Sequence, residues 1–159
     1  MERTVERELV PMAKSLNLGL TAWSPLSNGV LTGKYHGHGS ADAGRMSSDM
    51  MKGFLPEQKR TERIVGAVKT VADQVGRSMA QVALAWLRYR PVPVIPIIGA
   101  RKLSHLQDNL ASFQLELASD QLKILNDASK IELGFPHDFY AMEMVRTFIY
   151  GGMRDQIIA

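Results

Sequence analysis

Apolar residues at Val5, Leu9, Met12 and Leu16 recur at spacings of four, three and four, which predicts a helix with one buried face. Asn17 and Gly19 end that pattern, and Pro11, which lacks an amide donor, is expected to kink it. Gly19-Leu20-Thr21-Ala22-Trp23 is a short apolar run closed by Ser24-Pro25, the pattern of a buried strand. Ile64, Val65, Val68, Val71, Ala72 and Val75 place a second helix over 57–76. Ser78 with Gln81 three residues later reads as a capping box opening a third helix, with Met79, Val82, Ala83, Trp86 and Leu87 inward. Residues 94–98 form a second apolar run, held to a very short strand by Pro96. From Lys102 a helix is expected with Leu103, Leu106 and Leu110 inward, and Ser119 is expected to cap another over 120–129, with Leu122 and Leu125 inward. The stretch 33–56, with Gly33, Gly37, Gly39, Gly44 and Gly53, reads as a long loop. The tail from Ile131 carries Phe135, Phe139, Tyr140, Phe148 and Tyr150 without periodicity. Helices alternating with strands predict an α/β fold.

Composition narrows the function classes. The 159 residues suit one domain or part of a larger one, and 45% hydrophobic with 22% charged is an ordinary soluble balance. A net charge of +3, from 19 basic and 16 acidic residues, argues against nucleic acid as a partner. The chain has no cysteine, which excludes disulfides, thiolate metal sites and cysteine nucleophiles. The charged N-terminus has no apolar signal region, and no run approaches the roughly 20 apolar residues of a membrane span. A soluble, cytoplasmic chain with no membrane insertion is expected.

Two junctions carry candidate chemistry. The first, Trp23-Ser24-Pro25-Leu26 through Lys34-Tyr35, sets an indole, hydroxyls, permissive glycines and a cation directly after a strand, where parallel α/β folds bind ligands. The alternative is a plain turn with a surface lysine. The second runs from Gly99-Ala100-Arg101-Lys102 to Asp108-Asn109. There Arg101, His105 and Asp108 fall at i, i+4 and i+7 opposite the leucines, and two cations stand at a helix start that already favours an anion. A phosphate suits that arrangement; a solvated helix face with a charge pair is the alternative. His36-Gly37-His38 lacks a third metal ligand, so the expected metal site is none. His137-Asp138 has no nucleophile nearby, the nine methionines read as core filler, and Gly37-His38-Gly39 lacks the dinucleotide-fingerprint spacing.

Trp23-Ser24-Pro25-Leu26, Gly29, Leu31-Thr32-Gly33-Lys34-Tyr35, then Ile95-Pro96, Gly99-Ala100-Arg101 and Asn109-Leu110 resemble the aldo-keto reductases. The closest likeness is to the branch of bacterial reductases and potassium-channel β subunits. It runs from about residue 2 to about residue 130, dividing the chain into a unit 1–130 and a tail 131–159. The resemblance implies the C-terminal portion of a TIM (β/α)8 barrel, incomplete on its own, because such a barrel takes about 250 residues. It implies an NADP(H)-dependent oxidoreductase that reduces carbonyls by hydride transfer. Carried over, Trp23, Ser24, Pro25 and Leu26 follow the seventh strand beside the pyrophosphate and ribose, and Lys34 meets a phosphate. Gly99, Arg101, His105, Asp108 and Asn109 form the adenosine end, with Asn109 on the adenine and Arg101, aided by Lys102, selecting the 2′-phosphate of NADPH. Arg45 is a further match in the loop between. His105 departs from the glutamine or arginine common there. The family's catalytic Asp, Tyr, Lys and His precede the matched region, so the catalytic assignment for this chain is none. The expected partners are NADPH and either a homo-oligomer or a complementing N-terminal half. A non-catalytic NADP(H)-binding module and a fragment without its own function are the rival readings.

Overall fold

A computed structural model describes residues 1–35 and 57–157. The loop expected over 33–56 therefore falls mostly outside the described residues, as do Arg45 and His36-Gly37-His38. After a 3-10 turn at Thr4–Glu6 come helix α1 (Leu9–Ser15) and strand β1 (Leu20–Ala22), then a 3-10 segment at Ser27–Thr32. Helices α2 (Gln58–Val75) and α3 (Met79–Leu87) lead to strand β2 (Val94–Pro96), followed by α4 (Leu103–Ala111) and α5 (Ser119–Ser129). The tail contributes α6 (His137–Ala141) and α7 (Glu143–Tyr150). The fold is α/β, mostly helical, with a small sheet that is not closed.

β1 and β2 pair in parallel, Leu20 opposite Val94, Thr21 opposite Ile95 and Ala22 opposite Pro96. The ladder is extended by the Leu20 amide donating to the Pro93 carbonyl and the Ile97 amide donating to the Ala22 carbonyl, each at 2.9 Å. Strand alternation then turns the position of the missing Pro96 amide toward the open edge, where it breaks no bond.

The main core lies where α2, α3 and α5 meet, around Val68, Val71, Val82, Ala85 and Leu125. Five of the six apolar positions expected inward on α2 are buried and Val75 packs against them; Gly76, left-handed at φ 61°, ends the helix. Val10, Ala13 and Val92 form a smaller core under the sheet, with Leu20 and Val94 against it. The N-terminal segment is tied in through Trp86. The Arg90 guanidinium stacks 3.6 Å from its ring centroid, Arg3 lies 5.1 Å away, and Trp86 Nε1 donates to Asn126 Oδ1 at 3.0 Å. Arg3 also donates to Glu6 at 2.7 Å and to Ser129 Oγ at 2.8 Å.

Several expectations are corrected. The α1 stripe does not face inward: Val5, Leu9, Met12 and Leu16 are all exposed, Leu16 by 61%, and Val10 and Ala13 are buried instead. Pro11 is the third residue of α1, in the first turn, where its missing amide has no intrahelical acceptor to lose. On α4 the leucines also face out, Leu103 by 70%, while Asn109 is buried. Arg101 precedes that helix, so it shares no helical face with His105 and Asp108. The cap of α5 is Ala118, not Ser119; it has no side-chain acceptor, and its amide is taken by Gln121 Oε1 at 2.9 Å. Only half the capping box at Ser78 forms: Ser78 Oγ accepts from the Gln81 amide at 3.1 Å, but the Gln81 side chain turns elsewhere. The tail holds two short helices where no period was legible: α7 sets Met144, Val145, Phe148 and Ile149 on one face opposite Glu143, Arg146 and Thr147, yet buries only Val145.

Candidate functional site

The turn after β1 has an unusual backbone. Ser24, Ser27 and Asn28 adopt φ of 52°, 49° and 55°, and Gly29 adopts 90°. Left-handed conformations at non-glycine residues cost about 1–3 kcal/mol each, so bonds around them must hold them. Ser24 Oγ accepts from the Asn28 amide and donates to Asn28 Oδ1, both at 3.3 Å, and Thr32 Oγ1 donates to the Gly29 carbonyl at 2.7 Å. This geometry turns the chain back across the end of the strand and faces Trp23, 76% exposed, toward open space.

The turn faces the segment that follows β2. Between them lies a cavity of about 950 Å3. Trp23, Ser24, Pro25, Leu26 and Lys34 line one wall; Gly99, Arg101, His105, Asp108 and Asn109 line the other. All ten residues singled out from sequence thus border one space, although the two stretches are more than sixty residues apart. Its size falls within the roughly 300–1,000 Å3 of sites that hold small ligands. A second, more apolar cavity of about 430 Å3 uses the far side of the same turn and is bounded by Leu31, Ile64, Val68, Trp86 and Leu125.

The walls differ in chemistry. Lys34 Nζ lies 4.6 Å from the Tyr35 ring centroid, a cation held over an aromatic face. Arg101 and His105 are exposed beside the start of α4, where the first amides of the helix lack intrahelical partners. Asn109 is 5% exposed, and its side-chain nitrogen donates to no group among the described residues. Asp108 is different. Its two oxygens accept from Ser78 Oγ at 2.8 Å and Gln81 Nε2 at 2.6 Å, so its carboxylate fastens α4 to the start of α3. Ser78, which sequence reading placed only in a cap, also lines the cavity, and Gln81 reaches it through Asp108; the spacing identified the cap but could not show where the glutamine side chain would go. Met79, Asn28, Gly29, Thr32 and Ile97 also line the space. Among the described residues no helix is long and apolar enough to cross a membrane.

Residues 1–130 match the model of the aldo/keto reductase family. A probable voltage-gated potassium channel subunit beta from Arabidopsis thaliana is 35% identical over 108 residues, covering 67% of this chain and 33% of that protein. An uncharacterized oxidoreductase of Bacillus subtilis is 34% identical over 127 residues, 80% of this chain and 37% of its own. An aldo-keto reductase of Aspergillus calidoustus is 30% identical across 100% of this chain and 39% of its own. The crystal structure of a thermostable aldo-keto reductase bound to the inhibitor epalrestat shares the fold at a TM-score of 0.52 and 23% identity, over 80% of this chain and 36% of that one. The chain thus spans a little over a third of the length of these relatives, and by the family match it belongs to the aldo/keto reductases.

Proposed function

We propose that this chain carries the NADP(H)-binding end of a cytoplasmic aldo/keto reductase and holds none of the catalytic groups. The observation that supports this is the convergence of Trp23–Lys34 and Gly99–Asn109 on one cavity. The donor set fits a dinucleotide phosphate: Lys34 and Arg101 supply cations on opposite walls, and a buried amide with a free donor, Asn109, suits a heteroaromatic base. When bound, the cofactor supplies hydride. The chain's own residues position it: Trp23 and Pro25 shield one side, Arg101 takes the charge that separates NADPH from NADH, and the Gly99 backbone stands open to a close approach. A carbonyl also needs a proton donor beside the developing alkoxide, and that group comes from the rest of the barrel.

On this reading the chain is the C-terminal part of a (β/α)8 barrel, completed by further β/α units in the same or another polypeptide. Three exposed apolar surfaces support it: the α1 stripe, the α4 stripe with Phe113, and the strand-side residues Trp23, Ile95 and Ile97. A non-catalytic module is the second reading, favoured by the relatives named as channel β subunits. Titrating Trp fluorescence of the chain with NADPH, with NADH as control, tests the assignment. We expect saturable quenching that favours NADPH and is weakened about 10-fold or more by Arg101→Ala, from the loss of a charged hydrogen bond. No saturable response, or equal affinity for both nucleotides in the presence and absence of Arg101, overturns it.

A further inference from the structure

We propose that Gly29 is the positioning residue for the Lys34 ammonium, keeping it seated at the cavity wall before any ligand arrives. The role given to Lys34 rests on the reading above; the seat itself does not. Gly29 adopts φ 90° and ψ 6°, with its carbonyl held by Thr32 Oγ1 at 2.7 Å. A Cβ on Gly29 would lie 2.7 Å from Lys34 Cε and 3.0 Å from Nζ, so the end of the lysine lies across the bare α-carbon. The Tyr35 ring centroid is 4.6 Å from the same Nζ. Lys34 is otherwise exposed, so the bare α-carbon and the aromatic ring are the two contacts that set where its ammonium rests. A lysine left on its flexible stem would have to be ordered at the moment of binding, and holding it in place beforehand removes much of that cost.

The consequence of filling the seat follows from what would be struck. Cε and Nζ are the far end of a flexible side chain, so a methyl at position 29 displaces the charge while the surrounding backbone stays put. The positive φ adds a backbone penalty to any such substitution, and Gly33 provides the comparison for it. Gly33 is also left-handed, at φ 78°, but its Cβ would meet Met79 Sδ at 2.6 Å and not the lysine.

Two measurements test the proposal on the full chain. In the first, without any nucleotide, NMR of the lysine side chains follows the ring-current shift that Tyr35 imposes on the Lys34 Cε protons. Gly29→Ala is expected to abolish this shift and Gly33→Ala to preserve it. A shift that survives Gly29→Ala, or that is lost equally in Gly33→Ala, overturns the proposal. In the second, NADPH affinity is measured for Gly29→Ala, Lys34→Met and the double variant. We expect each single change to weaken binding by about 10-fold and the double variant to be no weaker than Lys34→Met alone, since both remove the same seated charge. Full additivity overturns the positioning role. Absence of NADPH binding by the unaltered chain overturns the cofactor reading and leaves the seat to be decided by the first measurement.

Discussion

Removing the Asp108 carboxylate isolates one joint of the structure. Asp108 accepts from Ser78 Oγ and Gln81 Nε2, and those two bonds fasten α4 to the start of α3. Gln81 is 7% exposed, and its Oε1 already has no partner, so in Asp108→Ala the amide is buried with nothing at either end. A hydrogen bond to a charged acceptor is worth about 1.5–3 kcal/mol, and a buried donor left empty costs about 1–3 kcal/mol. Because these describe overlapping parts of one loss, we expect about 2–3 kcal/mol of destabilisation. With a urea m-value of about 1–3 kcal/mol/M, the midpoint should fall by about 0.7–3 M at constant m. Replacing both partners removes the stranded amide, so Asp108→Ala with Gln81→Met should recover to within about 1 kcal/mol of the starting protein. A loss below about 0.5 kcal/mol, or the same loss in the Gln81→Met background, refutes the joint. The double variant also separates two roles for Asp108. If the carboxylate only seats the helix, NADPH affinity returns with stability; if it touches the adenosine, affinity stays low.

Other expectations follow from the same contacts. Tyr89 donates to Glu116 Oε2 at 2.7 Å and accepts from the Leu117 amide at 2.8 Å, so Tyr89→Phe leaves the amide of the buried Leu117 without its acceptor and should cost about 1 kcal/mol in urea unfolding. The Tyr89 hydroxyl, then the Arg88 charge, hold the Glu116 carboxyl below its ordinary value of 4.5. A folded pKa below the unfolded one stabilises above that ordinary value and is lost as pH falls through the folded pKa. Tyr89→Phe should therefore raise the Glu116 pKa by NMR and flatten this acid-side dependence; an unchanged pKa would refute the assignment. Arg90→Met should weaken the chain by about 1–2 kcal/mol in thermal unfolding and alter Trp86 emission, and Arg90→Lys should not restore either, because an ammonium cannot stack as a planar guanidinium does. Leu106 is exposed, so Leu106→Glu should change the stability of the isolated chain by less than about 0.5 kcal/mol while reducing its self-association in size-exclusion chromatography. A large loss of stability in the monomer would show that this leucine packs within the chain.

Legibility differed by element for physical reasons. Helices α2, α3 and α5 could be read because their partners lie in this chain, so their apolar periods point to a core that is present: Val71 and Val82 are fully buried where the spacing put them. Both strands were legible from short apolar runs and their breakers, each turning out one or two residues shorter at its ends, but the run at 19–23 is not the buried strand expected: both strands are half-buried at their outer positions and exposed at the central one. The ten cavity residues were legible because strand ends followed by turns are where α/β folds place ligands, and family likeness supplied the pairing of the two stretches. The left-handed conformations of Ser24 and Ser27 were not, since serine seldom adopts positive φ, and only Asn28-Gly29 carries a local signal for it. Nor was the fate of the Gln81 side chain: its acceptor, Asp108, lies 27 residues away, and capping spacing reports only local bonds.

The reversed faces of α1 and α4 carry the most information. A helix is amphipathic with respect to the neighbours it packs on, and these two direct their apolar stripes away from both cores formed among the described residues. Burying a single leucine-sized side chain is worth about 1.5–3 kcal/mol, so Val5, Leu9, Met12 and Leu16 with Leu103, Leu106, Leu110 and Phe113 represent on the order of 10 kcal/mol of unrealised stabilisation. That is comparable to the whole stability of an ordinary domain, about 5–15 kcal/mol. The strand-side residues Trp23 and Ile97 belong both to this uncovered surface and to the cavity wall. On the reading proposed above, covering the surface and forming the cofactor site are therefore one linked event. Whatever docks against the strands restricts the cavity that Lys34 and Arg101 line, and a ligand bound there stabilises the docked arrangement by the same free energy.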